Sequence, residues 1–353
     1  MRPAIAELSL DHLQHNYRVL RQKAGTAQVM AVVKANAYGH GLEHIAPALF
    51  AMGCRLFAVT DACEGEQLRH LLGDEAEITP LSGVFDAQDA RLVVSAGLTP
   101  VLTEMQQLAS LDAAGFQGKV WLKVDSGMHR LGAEDVQALS HACVASGLTL
   151  AGVMSHLACA DVPQHPLNQQ QALDFERMRA TLPEGLPASL LNSAGLVCLS
   201  EYCLDVVRPG LALYGIEPIP EQALGLKPVM RLTAVVMQIR VVTKGATVSY
   251  GASYAAPQDM RVAVVCLGYG DGLPRDLSNR GWAMYQGHRL PIVGRVCMDY
   301  CLLDVSDVPI EVGERVCFWG NSGCGMHEIA ELLHTIPYTL TTGLQARVQR
   351  IMR

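Results

Sequence analysis

The chain has 353 residues, half of them hydrophobic, which is more than one ordinary domain needs and enough to fill two sizeable cores. Its formal net charge is −7 and its 27 lysines and arginines are scattered, which disfavours nucleic acid and acidic membranes as partners and favours a small-molecule substrate. The 11 cysteines are odd in number and lack the spacing of a disulfide framework, so a reducing cytoplasm is expected.

In chain order, the opening MRPAIAELSLDHLQHNY carries Glu7 and Asp11 early and has no apolar stretch of signal-peptide length. No later run approaches the ~18–20 apolar residues of a membrane span. Neither export nor membrane insertion is expected. From residue 12 to 225, eight apolar or β-branched runs alternate with helix-like segments: QVMAVV (28–33), LFAVT (56–60), ITPLSG (78–83), TPVL (99–102), KVWLKVD (119–125), LAGVMSH (150–156), ASLLN (188–192) and LDVVR (204–208). Eight repeats predict a closed (β/α)8 barrel, although the fourth and seventh runs are weak and an open sheet fits six strong strands nearly as well. The polar residues decide between them. Lys34, Asp125, Arg130, His156, Asn192, Ser193 and Arg208 follow the runs, where a barrel enzyme builds its site. After LKPVM (226–230) the texture changes to strand-rich segments: LTAVVMQIRVV, ATVSYG, RVAVVCLGYG, PIVGRVCMDYCLLDV and ERVCFWG. One late helical pattern, HEIAELLHTI (327–336), precedes the C-terminal segment. The expected class is therefore α/β plus all-β: an N-terminal (β/α)8 TIM barrel over residues 1–225 and a C-terminal β-strand-rich domain over 226–353, the opening residues being free to pack with the latter.

The first run ends in AVVKANAYGHG (31–41), where Lys34 sits at the rim after two valines. A lysine in apolar company can have a lowered pKa and form a Schiff base; an arbitrary lysine is solvated or salt-bridged. The string resembles the pyridoxal-phosphate (PLP) lysine signature of the alanine racemase family. So do WLKVDSGMHRLG (121–132), MSHLACAD (154–161), LNSAG (191–195), VRPGLALYG (207–215), VSYG (248–251), GYGDG (268–272) and VGRVCMDY (293–300), in family order and across both domains.

The resemblance implies a homodimeric PLP enzyme that interconverts L- and D-alanine with two opposed bases, supplying D-alanine for peptidoglycan or catabolising alanine, with serine as a possible further substrate. It implies that Lys34 holds the cofactor and serves one face of the substrate, and that Tyr250 of the partner subunit serves the other. Tyr38, Ser193 and the amides of Gly210 and Leu211 match the phosphate cradle, and Asn192 and Tyr214 belong to the same cofactor-binding set. A glycine there suits close backbone approach to a phosphate. Arg208 matches the arginine that donates to the pyridine nitrogen, with His156 beside it. Arginine keeps its proton, so the ring nitrogen should stay unprotonated and the cofactor should be a restrained electron sink. Arg130 matches the residue that binds the cofactor's phenolic oxygen and the substrate carboxylate, and Tyr269 and the Met298 amide match substrate contacts made across the dimer. Lys123 matches a lysine often carbamylated; the carbamate would turn a buried cation beside Arg130 into an orienting anion.

Each residue also has a plainer reading. His156 alone reads as a hydrogen-bonded core histidine, Lys123 as an ion-pair partner of Asp125, and Tyr250 as a half-buried packing residue. A phenol ionises near ~10 and needs cationic neighbours to act as a base. The glycines of LGYGDG superficially suggest a nucleotide loop, but no helix clearly follows. Cys317, Cys324 and His327 lack a closed four-ligand set, so no metal is expected. The competing functions are a non-catalytic PLP-binding barrel, a PLP decarboxylase on the same architecture, and a metal-dependent barrel hydrolase using His156 and Asp161. Three residues depart from the family pattern: Tyr300 where glutamine is common, Ala346 where a bulkier residue, frequently tyrosine, stands, and Gln349 where proline is frequent.

Overall fold

The computed structural model describes residues 4–320 and 322–353. The chain divides into two compact units: one comprises residues 13–37 and 42–227, the other the stretch ending at His12, residues 38–41 and Pro228–Arg353.

The first unit is a parallel α/β barrel with eight strands among the described residues: β2 (Gln28–Val32), β3 (Leu56–Val59), β4 (Glu77–Pro80), β5 (Val101–Leu102), β6 (Lys119–Lys123), β7 (Thr149–Met154), β8 (Ala188–Ser189) and β9 (Val206–Val207), β1 belonging to the other unit. They form two four-stranded arcs, β4-β3-β2-β9 and β5-β6-β7-β8. Backbone hydrogen bonds join the arcs into a barrel, Thr99 N–H to Ile78 O at 2.9 Å on one side and Arg208 N–H to Leu191 O at 2.9 Å on the other. Met30, Phe57, Ile78, Val101, Leu122 and Val153 are fully buried in it, as apolar strand residues with neighbours on both faces must be.

All eight expected runs are strands, but three have only two paired residues. In ASLLN the reason is local. Asn192 caps the helix Ser193–Cys198, its side chain accepting from Gly195 N–H, so the chain turns helical where the apolar pattern still runs on. The other crossover helices start similarly: Asp61 caps Ala62–Leu72, Asp86 caps Ala87–Ser95 and Asp135 caps Val136–Ala145. These side-chain caps fix where the crossover helices begin.

The second unit is built on an eight-stranded sheet, with β1 (Ile5–Leu8) antiparallel to β10 (Met230–Val242) and parallel to β18 (Gln349–Met352). Strand β10 is 13 residues long and shifts register between Val236 and Gln238, which lets its first half pair with Arg315–Trp319 and its second with Met260–Val265. Two expectations are corrected here. VSYG is strand only over Thr247–Val248, and Tyr250 lies in a 3-10 turn behind Ser249, whose φ is +64°. In PIVGRVCMDYCLLDV the regular strand is Cys301–Asp304, the preceding residues forming loops between strands. A hairpin, Trp282–Tyr285 with His288–Pro291, is unmarked in the periodicity because its turn is Gln286-Gly287; both have positive φ, as a two-residue hairpin turn requires. The late helix spans Met326–Leu332, and a second, Pro337–Thr342, follows a proline start. No helix among the described residues is long and apolar enough to cross a membrane.

Candidate active site

Lys34 is the second residue past β2 and opens a left-handed turn. Ala35, Asn36, Ala37 and Tyr38 all have φ of 52–53°. Left-handed backbone costs an L-residue about 1–2 kcal/mol, so four in succession persist only when held from outside. They are held. Ala35 N–H donates to Glu64 Oε1 at 2.7 Å while Thr60 N–H donates to Oε2 at 2.8 Å, so one carboxylate braces the ends of β2 and β3. Asn36 Oδ1 accepts from Leu42 N–H at 2.7 Å, closing the turn. Glu64 was not singled out from the sequence, since it reads there as an ordinary acidic residue in a helix's first turn.

Lys34 belongs to a cluster of bases. Burial and then the Arg130 guanidinium push its amine below the ordinary lysine range, Glu64 opposing. Burial, followed by Arg208, Arg130 and Lys34, brings Lys123 down to about 8. Asp125, which would offset this, uses one oxygen on the amides of Gly127, Met128 and His129 at 2.9–3.1 Å. It shapes the loop that carries Arg130. Burial together with Arg208 keeps His156 well below its usual pKa and hence neutral. Its Nδ1 lies 3.4 Å from Arg208 Nη2 and its Nε2 3.5 Å from Asn192 Nδ2.

Arg208 is the centre of the cluster. It is enclosed by protein, burial alone brings its pKa to about 10, and no ion-pair partner is found among the described residues. It donates to Ser189 Oγ, Ser155 O and Leu190 O. A buried cation held by neutral acceptors is costly unless a ligand acceptor completes its shell. Nearby, Ser193 Oγ accepts from Gly210 N–H at 2.9 Å and Ala212 N–H at 3.2 Å, bringing a hydroxyl and the start of the 3-10 turn Leu211–Tyr214 together. The ring of Tyr214 is wholly buried and its hydroxyl donates to Val32 O at 3.0 Å, so it braces the end of β2.

Tyr38 is counted with the second unit, where burial and Tyr338, its ring 5.8 Å away, push its phenol upward. That unit carries a further group of exposed side chains: Tyr250 is 71% exposed, with Tyr269 and Met298 also exposed. Their turns are tied together. Ser249 Oγ donates to Arg295 O at 2.7 Å, Tyr269 N–H to Cys297 O at 3.0 Å and Gly270 N–H to Met298 O at 2.9 Å. Tyr300 and Ala346 are exposed in the same unit, and Gln349 pairs with Ile5 as the first residue of β18. Cys317 Sγ and Cys324 Sγ lie 3.7 Å apart, and among the described residues no group of three or more His, Cys, Asp or Glu could hold a metal.

The barrel unit therefore presents a tuned rim lysine among donors suited to an anionic, heteroaromatic group, which defines the class of a barrel enzyme that uses a covalently held cofactor. Comparison with known proteins names the family. The N-terminal domain model of alanine racemase matches residues 8–218 and the C-terminal domain model 229–352. A catabolic alanine racemase of Mesorhizobium japonicum is 40% identical, the alignment covering 98% of this chain and 92% of that protein. Among solved structures, alanine racemase from Bartonella henselae with covalently bound pyridoxal phosphate superposes with a TM-score of 0.93 at 33% identity, and biosynthetic alanine racemase from Pseudomonas aeruginosa with 0.92 at 36%, all of each chain being covered. The chain belongs to the alanine racemase family.

Proposed function

We propose that this chain is a PLP-dependent alanine racemase, acting as a cytoplasmic homodimer whose active sites are shared between subunits. The observation that carries the reading is the pairing of Lys34, its amine depressed and its turn strained into position, with Arg208, a buried cation that has no acidic partner among the described residues.

The donor set fits the cofactor. Lys34 would hold it, Ser193 with Gly210, Leu211 and Tyr38 would hold its phosphate, Arg208 its pyridine nitrogen and Arg130 its phenolic oxygen. His156 and Asn192 would keep Arg208 oriented. PLP, once bound, supplies an electron-withdrawing system that acidifies the substrate Cα–H. Lys34 then moves the proton on one face of Cα, for which a lowered pKa is the required property. Arg208 cannot release a proton to the ring, and this limits charge delocalisation and disfavours transamination. Lys123, with a pKa near 8, is partly neutral under ordinary conditions and so able to take up CO2. The resulting anion would orient Arg130 toward the substrate carboxylate.

The opposite face calls for a second base, and we assign it to Tyr250 of a second copy of the chain, with Tyr269 and the Met298 amide of that copy at the substrate carboxylate. The exposure of all three on turns tied to one another supports this. A cytoplasmic setting is supported by the 11 cysteines, none of which forms a disulfide among the described residues. Because the relatives include catabolic and biosynthetic racemases, both D-alanine supply for peptidoglycan and alanine catabolism remain within the reading. The deciding experiment is chiral analysis of the purified, PLP-loaded protein given L-alanine, with sedimentation to establish the dimer. Formation of D-alanine approaching a 1:1 mixture is the expected result; pyruvate or amine as main product would refute the reading.

A further inference from the structure

The glycines of LGYGDG each mark a close approach. A Cβ at Gly268 would lie 2.4 Å from the carbonyl oxygens of Cys297 and Met298, one at Gly270 2.5 Å from Arg347 Nη2, and one at Gly272, where φ is +104°, 2.4 Å from Gly343 O. Two distant segments thus converge on the turn that bears Tyr269.

Arg347 is where they meet. Its Nε lies 2.7 Å from Asp271 Oδ1, a carboxylate with no solvent exposure, while its Nη2 lies 3.0 Å from Asp299 Oδ1 and donates to Met298 O at 3.2 Å. The other oxygen of Asp271 accepts from Gly268 N–H at 2.9 Å, and Asp271 O accepts from Gln345 N–H at 3.1 Å. One planar guanidinium therefore joins the Tyr269 turn, the Met298 turn and the C-terminal segment, a task that needs the fixed fork of arginine. It also sets a cation between two carboxylates, Asp271 and Asp299, beside residues that would receive an anionic substrate group.

We propose that Arg347 is a positioning residue for alanine binding: it locks the Tyr269 and Met298 turns into one platform for the substrate carboxylate and takes no part in proton transfer. This rests on the reading that Tyr269 and Met298 contact that carboxylate. Gly270 belongs to the same device, since it leaves room for the guanidinium.

The test compares PLP-loaded Arg347→Met, Arg347→Lys and Gly270→Ala with the unaltered enzyme. Arg347→Met should raise KM for both enantiomers about tenfold with kcat changed by less than about twofold, the signature of lost binding that is equal in ground and transition states. Arg347→Lys should recover part of the loss. Gly270→Ala, whose backbone is sterically permissible, should reproduce it by pushing the guanidinium aside. Amide hydrogen exchange should quicken at Tyr269 and Gly270 in both damaged variants, with the visible absorbance of the cofactor unchanged. An unchanged KM with those amides still protected, or a loss confined to kcat, overturns the proposal. If the unaltered enzyme does not racemise alanine, the functional reading falls, and the exchange measurement alone decides whether Arg347 holds the two turns.

Discussion

The barrel rim and the turns of the β unit solve opposite problems. At the rim, Lys123 and Arg208 are buried and Lys34 and His156 half-buried, and burial is the largest influence on the pKa of each. In the β unit Tyr250, Tyr269 and Met298 are exposed, held by backbone ties rather than by packing. Groups that must be chemically tuned are made so by the interior in which they lie, whereas groups that meet a second molecule must stay outside and can be fixed only by the turn beneath them.

The sharpest way to break this comparison is at the rim. Lys34→Ala should reduce racemisation at least about 10³-fold, because it removes a covalent anchor and a base together. The visible absorbance of bound PLP should shift with it. Retained activity would mean that the rim lysine is not the working group.

Tyr250→Phe probes the exposed side. Solvent-deuterium incorporation should fall about 10²-fold or more from L-alanine, as expected for loss of a general base, while exchange from D-alanine through Lys34 persists. Equal loss from both enantiomers would remove Tyr250 from its assigned face.

The third prediction concerns tuning by burial. Lys123 has a folded pKa of about 8 against 10.5 in an unfolded chain, so between these values the native state is neutral while the unfolded state still binds a proton. Unfolding free energy should therefore gain from this group as pH rises from 8 toward 10, and the gain is absent below 8, where both states are protonated. Urea denaturation of the unaltered protein and Lys123→Met across that range, in CO2-free buffer so that the amine stays free, measures it. A slope that survives the substitution would show that burial of Lys123 is not its source.

The smallest effect is expected at Ala346, which is exposed on the segment before β18. If it lines the access channel, the lost ring volume admits serine, since rejecting one hydroxyl by sterics is worth only about 1–3 kcal/mol. Ala346→Tyr should then lower the ratio of serine to alanine kcat/KM by less than about 100-fold. An unchanged ratio would place Ala346 outside the channel.

Much of this protein could be read in its sequence. The eight barrel runs, the change of texture after residue 226 and the position of Lys34 past a strand are local signals, carried by apolar periodicity and by the residue that follows a strand's end. The motifs from residue 31 to 300 named the family before any fold was known. Elements whose signal is not local were missed: β1 becomes a strand by pairing with β10 and β18, and β18 by pairing with β1, each across more than two hundred residues. Tertiary structure alone decided the rest. The Glu64 brace under a left-handed turn, Arg208 without an acid among the described residues, the Tyr214 brace on β2 and the clasp of Arg347 on Asp271 depend on groups far apart in the chain. Burial and electrostatic potential are sums over spatial neighbours, and only the folded chain determines which neighbours those are.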